Sequence, residues 1–430
     1  MNTNIKILCI GLGKLGLVFS QVLAERNGST FGYDINKKIL SSIKKNEKSI
    51  EPNLNKLIKK NKKNFSIVNT ISEGIKLSDG TFLVLPTPSK KNHEFDNSYI
   101  LNSLNKIGPH LKNKKNYLIN ITSTVNPGSC EMFIKMLEQK FNLKHGKNFI
   151  LTYNPHLIAL GSIYNDILKS DLVLIGSNLK KGFRILKNIY KSFYPNQLSK
   201  LKMLNLKEAE ISKIAINSYI TMKISYTNLL SQISDKTKNI NVSKILNAIG
   251  DDKRIGRKYL SLGAMYSGPC FPRDNLNFIQ YLKKEKVNFS LLKSTDEINN
   301  IQTTRYIKIF NQERKKIKKK PIIGLCGISY KENTFVNTKS PAMEIYKKLS
   351  KKYKIIFHDV NYHENFKRYN FIKDPKKFFN NVDVIFICYK NEKFKKLCKF
   401  QTNKSKIIID LWNFLNCNNR NIHIRNIGVS

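Results

Sequence analysis

The sequence predicts an α/β protein built from two doubly wound parallel sheets joined by a long central helical segment. Three observations carry this prediction. Short apolar runs alternate with amphipathic stretches from Ile5 to Ile175, a strand-free helical pattern follows from about residue 204, and the alternation resumes after the basic run 315–320. Repeated strand–helix units with right-handed crossovers give parallel sheets covered on both faces.

Taken in order, Ile5–Ile10, Thr30–Tyr33, Phe82–Leu85 and Tyr117–Ile121 read as strands, being short, apolar and β-branched. Leu15–Arg26, Ser98–Leu111 and Ser129–Phe141 carry helical spacing between them, and Phe149–Tyr153 and Leu172–Ile175 extend the sheet. In the middle, Leu206, Ile211, Ile214, Ala215, Tyr219, Met222 and Leu229 recur at helical intervals. Ile322–Cys326, Lys354–Phe357, Val384–Cys388 and Lys406–Ile409 then read as strands, with helices at Met343–Leu349 and Phe394–Leu397. The expected organisation is an N-terminal sheet domain over 1–200, a helical domain over 201–300 and a second sheet domain over 301–430.

At 430 residues, two or three domains are expected on a scale of roughly 150 residues each. No stretch reaches the roughly 18 consecutive apolar residues of a spanning helix, so a membrane protein is not expected. Ile5–Phe19 is interrupted by Lys14 and three glycines, and no small-residue cleavage site follows, so secretion is not expected either. The seven cysteines are widely spaced without a Cys-x-x-Cys pair; they read as free thiols of a cytoplasmic protein, with no metal site. Lys+Arg 76 against Asp+Glu 30 gives a net charge of +46, spread along the whole chain beside abundant Asn and Ile. That distribution reads as compositional bias rather than a specific nucleic-acid surface, although the field favours anionic small molecules.

The sharpest local motif is Gly11-Leu12-Gly13-Lys14-Leu15-Gly16, between a strand and a helix. The first glycine permits a tight turn, the second lets backbone N–H groups approach a pyrophosphate, and the third allows close helix packing. Asp34 stands 18 residues after Gly16 at the end of the next strand, placed to accept a ribose hydroxyl and repel a 2′-phosphate. The combination favours NAD on a Rossmann-like domain, while Lys37 and Lys38 nearby leave NADP open. Pro86-Thr87-Pro88 and Ser123-Thr124-Val125 follow strands, which puts Thr87 and Thr124 on the ligand-binding edge. In Tyr266-Ser267-Gly268-Pro269-Cys270-Phe271-Pro272-Arg273-Asp274, a cysteine lies between two prolines and four residues before a carboxylate, a candidate nucleophile. Lys213 and Asn217 share one helix face.

Assembled, these residues resemble the UDP-glucose/GDP-mannose dehydrogenase family over nearly the whole chain. The resemblance also includes Tyr153-Asn154-Pro155, Glu208-Ala209-Glu210 before Lys213, Arg254-Ile255-Gly256, Gly327-Ile328-Ser329-Tyr330-Lys331, Ser340-Pro341 and Asp410-Leu411-Trp412-Asn413. It implies NAD-dependent oxidation of the C6 alcohol of a nucleotide sugar to a carboxylate, a homodimer formed through the central helix, and supply of a uronic acid for surface polysaccharide. The short spacing from Asn154-Pro155 to Ile175-Gly176 resembles the UDP-glucose and GDP-mannose branches, and UDP-glucose is the favoured substrate. By motif position, Cys270 forms a thiohemiacetal and then a thioester, Lys213 and Asn217 stabilise the C6 oxygen, and Asp274 and Thr124 manage water. The cofactor residues implied are Gly11, Gly13, Leu15, Gly16, Asp34, Thr87 and Thr124. For the substrate they are Lys213, Asn217, Arg254, Tyr259, Gly268 and Lys331, with Arg254 reaching the sugar of a neighbouring subunit.

The chain departs from the family at one telling place. Asn154-Pro155-His156-Leu157-Ile158-Ala159-Leu160-Gly161 lacks both glutamates usual in that segment, so His156 is the candidate acid/base group, on the strength of an ordinary pKa of about 6.5. Arg273 replaces a usual Lys, and Thr338 a usual Arg. With the glutamates missing, a single two-electron oxidation and ligand binding without turnover stay open as alternatives.

Overall fold

The computed structural model describes residues 5–47, 49 and 51–429. Two compact units divide inside the helix Leu206–Ile233, one ending at Ala215 and the other starting at Ile216.

The first unit carries eight strands: β1 Ile7–Ile10, β2 Thr30–Tyr33, β3 Phe65–Ile67, β4 Gly80–Leu83, β5 Tyr117–Ile121, β6 Phe149–Tyr153, β7 Val173–Gly176 and β8 Leu201–Leu204. Their order in the sheet is β3-β2-β1-β4-β5-β6-β7-β8. Strands β1, β4, β5 and β6 are buried along their whole length because helices cover both faces, which is why they read as unbroken apolar runs. Strand order reverses between β1 and β4, which opens a crevice at their carboxyl ends.

One feature differs from the all-parallel expectation: β7 pairs with β6 antiparallel, and β8 follows β7 in parallel. The connection between β6 and β7 holds only the six-residue helix Ile163–Leu168.

The second unit carries β9 Ile323–Cys326, β10 Ile355–His358, β11 Val384–Ile387, β12 Lys406–Asp410 and β13 Ile422–Asn426, all parallel in the order β10-β9-β11-β12-β13. Ahead of them lie the rest of Leu206–Ile233 and the helices Val242–Gly250, Phe271–Lys284 and Ser290–Glu313. Among the described residues, no helix is long and apolar enough to cross a membrane, and no three His, Cys, Asp or Glu side chains gather as a metal site.

The expectation of seven free thiols is corrected. Cys398, in the 3₁₀ helix Glu392–Lys399, and Cys417, in the loop after β12, form a disulfide with their Cα atoms 4.8 Å apart. Local sequence hides this because the pairing is made by the tertiary fold across 19 residues.

Candidate active site

In the first unit, the turn after β1 shows why the glycines stand where they do. Gly11 has φ +94° and donates its N–H to the Tyr33 carbonyl at 2.9 Å, and a Cβ there would collide with the Val84 carbonyl oxygen. A Cβ on Gly16 would strike the Gly11 carbonyl, so the helix Lys14–Asn27 packs directly on the turn. Gly13 caps that helix without a side-chain bond, and nothing lies within 4 Å of where its Cβ would be. The result is an exposed helix N-terminus with open backbone N–H groups, which favours an anion. Leu15 packs half-buried into the helix–sheet core beside it.

Asp34 follows β2 and holds the turn. Its carboxylate accepts the Leu12 N–H at 2.8 Å and the Asn36 N–H at 2.8 Å, while the side chain stays partly exposed. Open N–H groups at Gly13 and an accessible carboxylate beside them are the two contacts that the pyrophosphate and ribose of NAD require.

The loop after β5 is pinned from three directions. Ser123 exchanges hydrogen bonds with both backbone groups of Leu85, the Thr87 hydroxyl donates to the Thr124 carbonyl at 2.7 Å, and the Asn126 side chain bonds both backbone groups of Phe95. Thr124 is thereby fixed while its own hydroxyl stays half-buried. Glu210, fully buried, accepts N–H groups from Gly128 and Cys130 at the start of the helix Ser129–Phe141. Burial raises its pKa despite those bonds. Sequence reading placed Glu210 in a motif but gave it no role; the signal was an acid one turn before Lys213, on the face that turns inward. Lys213 itself is 8% exposed.

His156 does not titrate where the free imidazole would. Its ring packs edge-on against Phe19 with centroids 4.3 Å apart, and its Nε2 is buried without a hydrogen-bond partner among the described residues. Burial first, and the Lys213 ammonium second, lower its pKa from 6.5 to about 3. The ring is therefore neutral near pH 7, and the premise of a base matched to neutrality is not met. A cavity of about 10 Å³ beside it, lined by Asn154, Tyr190 and Tyr194 among others, has room for about one water.

Because the folded pKa lies below the unfolded one, the unfolded chain binds this proton first. Stability from the neutral ring is complete above about pH 6.5 and is lost as pH falls towards 3. The His156 ring protons are accordingly expected to show no titration between pH 8 and 5 by NMR; a midpoint near 6.5 would refute the buried, neutral ring.

In the second unit, Cys270 is exposed and caps the helix Phe271–Lys284, whose first turn contains Pro272. Asn299 holds the approach to this loop, bonding the Tyr266 N–H at 2.8 Å and the Tyr266 carbonyl at 3.1 Å. Gly268 has φ +84°, and a Cβ there would overlap the Tyr330 ring. Burial, with Cys270 adding to it, pushes the Tyr330 hydroxyl up, so it stays protonated. Asp274 donates its N–H to the Cys270 carbonyl at 2.8 Å, and its carboxylate is 1% exposed. That carboxylate accepts the Asn217 amide at 2.6 Å and faces Arg273 Nε at 3.3 Å. The structure therefore places Cys270 and Asp274 at the start of one helix and joins Asn217 of the helix Leu206–Ile233 to the Asp274 carboxylate.

The Arg254 guanidinium is exposed and bonded to Asp252. Tyr259, at φ +61°, is 48% exposed and meets Phe271 edge-on at 6.2 Å. The Lys331 ammonium lies 5.9 Å from the Tyr330 ring centre.

Comparison with known proteins gives this arrangement its class. Residues 5–194 match the NAD binding domain, 207–301 the central domain and 324–417 the UDP binding domain of the UDP-glucose/GDP-mannose dehydrogenase family. The UDP-glucose 6-dehydrogenase of Rickettsia typhi is 30% identical over 428 residues, covering 95% of each chain. The UDP-glucose 6-dehydrogenase TuaD of Bacillus subtilis is 30% identical over 343 residues, covering 79% of this chain and 72% of its own. Two solved structures share the fold: a UDP-glucose dehydrogenase from Pyrobaculum islandicum (TM-score 0.87, 23% identity, 99% and 98% covered) and a UDP-D-ManNAc dehydrogenase from Pyrococcus horikoshii (0.84, 22%, 99% and 99%).

An open dinucleotide turn, a carboxylate at the end of β2 and a nucleotide-binding second sheet define an NAD-dependent oxidoreductase of nucleotide sugars. The chain belongs to the UDP-glucose/GDP-mannose dehydrogenase family.

Proposed function

We propose that the protein oxidises UDP-glucose to UDP-glucuronic acid through a covalent intermediate on Cys270. The observation that carries the chemistry is the retained Cys270–Asp274–Asn217 cluster, and the named relatives support the hexose. In this reading residues 1–200 hold the cofactor, 201–300 the dimer contact, and 301–430 with Lys331, Tyr259 and Gly268 the nucleotide sugar. Arg254 reaches the sugar of a second copy. An apolar stripe on the central helix supports the homodimer, with Tyr219 57%, Tyr226 49% and Leu229 45% exposed.

NAD bound at the glycine turn and Asp34 would supply the hydride acceptor for each of the two oxidations. The chain's residues do the rest. Lys213 stabilises negative charge on the C6 oxygen as the alcohol loses its proton, helped by the Asn217 amide. The Cys270 thiolate then adds to the aldehyde, because a planar aldehyde becomes an alkoxide with a transferable hydrogen only after a nucleophile attacks. Loss of a hydride from that thiohemiacetal leaves a thioester, and water, oriented by Asp274 and Thr124, cleaves its carbon–sulfur bond to give the carboxylate and free the Cys270 thiol, while His156 accepts a hydrogen bond as a neutral ring. Loss of the family glutamates together with the low His156 pKa favours one alternative, a stop after the first oxidation.

NADH formed per UDP-glucose separates these outcomes. Two equivalents with wild-type protein are the expected result; one equivalent, with the aldehyde recovered, would establish the alternative, and none would overturn both.

Asp34→Ala tests the cofactor assignment. Loss of a charge-assisted hydrogen bond costs about 1.5–3 kcal/mol, so KM for NAD should rise roughly 10- to 100-fold while use of NADP improves. An unchanged KM for NAD would remove Asp34 from the cofactor site.

A further inference from the structure

The second unit contains a chemically distinct feature that the oxidation does not use. Cys398 and Cys417 are both partly exposed, whereas Cys9, Cys130, Cys326 and Cys388 are completely buried. Burial pushes all four of those thiols far up, so they are protonated and shielded. Beside the disulfide lies a cavity of about 400 Å³ lined by Lys395, Cys398, Lys399, Phe414, Asn416 and Asn418. Two lysines at its wall favour an anion, and Cys398, not Cys417, lines it.

We propose that Cys398–Cys417 is a thiol–disulfide exchange site for a small anionic thiol of the glutathione class, and that its opening releases the turn carrying Trp412. In the reducing direction the thiolate of the small molecule attacks Cys398 Sγ. The Cys398–Cys417 bond breaks, a mixed disulfide forms at Cys398, and Cys417 leaves as a thiolate that takes up the proton shed by the incoming thiol. A second small thiol attacks the mixed disulfide and frees Cys398. Two small thiols are thereby oxidised to one disulfide, and the protein gains two electrons and two protons. The oxidised small molecule runs the sequence backwards.

The consequence for the fold follows from what Cys417 terminates. The buried Asp410 carboxylate gathers the N–H groups of Trp412, Phe414 and Leu415 at 2.8–2.9 Å, forming a tight turn that ends at the disulfide. The Trp412 ring lies on Gly263, where a Cβ would overlap it, and Asn413 donates to Ser243 Oγ at 3.3 Å. Gly263 belongs to the segment that runs into the Cys270 loop. The disulfide is the covalent anchor of one end of this turn, so exchange changes how firmly Trp412 is held.

Trp412 is the only tryptophan in the sequence, and its fluorescence reads the site without any enzymatic assay. Full-length protein equilibrated with oxidised or reduced glutathione, then blocked with an alkylating agent, is examined by peptide mass spectrometry and emission spectroscopy. A Cys398–Cys417 cross-linked peptide is expected only in the oxidised sample, together with a red shift and greater acrylamide quenching of Trp412 after reduction. Cys398→Ser should show the reduced-type emission under both conditions, and Cys270→Ser should respond like wild type. Absence of the cross-linked peptide in oxidised glutathione would overturn the exchange site. Identical emission in the two wild-type states, or a response that survives in Cys398→Ser, would overturn the coupling to Trp412. Since the wild-type comparison needs no variant and no substrate, neither a folding defect nor failure of the UDP-glucose assignment affects it.

Discussion

Cys270→Ser is expected to lower the rate of complete oxidation by about 10³-fold or more and to leave at most one NADH per UDP-glucose. The reason is chemical. The first oxidation, alcohol to aldehyde, needs base and electrostatic assistance but no nucleophile, so a serine chain retains it to the extent that bound aldehyde is tolerated. The second oxidation needs an adduct with a transferable hydrogen, and a serine hydroxyl is far less ionised than a thiol near pH 7. The local structure makes the substitution a clean test. Cys270 is exposed at a helix cap, and the loop is held by Asn299 on Tyr266 and by the Tyr330 ring over Gly268. Melting temperature should stay within a degree or two of wild type. Two NADH per sugar at an undiminished rate would remove the covalent route and return the second oxidation to a hydrated aldehyde.

Why some of this was legible in the sequence and some was not follows from locality. Strands β1, β5 and β6 were readable because both faces are covered, which makes each an apolar run in any register. Strands β3, β8 and β13 were not: Phe65–Ile67 has three residues, Leu201–Leu204 exposes its centre, and Ile422–Asn426 mixes His, Arg and Asn into a sheet edge. The reversal at β7 depends on the path of a connection, which periodicity does not encode. At the site, the glycine turn and the Cys270 loop declared themselves because their chemistry is carried by neighbouring residues. The state of His156 did not, since it is set by Phe19 and Lys213, 137 and 57 residues away along the chain. Cys398–Cys417 and the Glu210 clamp are likewise products of folding, visible only once Gly128 and Cys130 are seen to point their N–H groups at one carboxylate.

Lys213→Met should reduce kcat for both oxidations by about 10²–10³-fold, equivalent to about 2.7–4 kcal/mol of transition-state stabilisation, with a much smaller change in KM for UDP-glucose. Methionine keeps the length of the buried stem and removes only the ammonium, so lost packing is not confused with lost charge. The position of that charge is prepared by the fold. One turn earlier on the same helix, Glu210 is bonded to Gly128 and Cys130 at the end of the loop that carries Thr124, which ties the helix to that loop. An ammonium carried on a helix fixed in this way acts more strongly on the negative charge that grows on the C6 oxygen in the transition state than on a neutral alcohol. A second readout follows from electrostatics. Lys213 is one of the two causes that lower the His156 pKa, so the methionine chain should show that pKa moved upward while burial keeps it below the ordinary 6.5. If kcat stays within twofold of wild type while the His156 titration moves, the ammonium is confirmed beside the histidine but has no part in the chemistry, and the oxyanion would have to be stabilised by Asn217 alone.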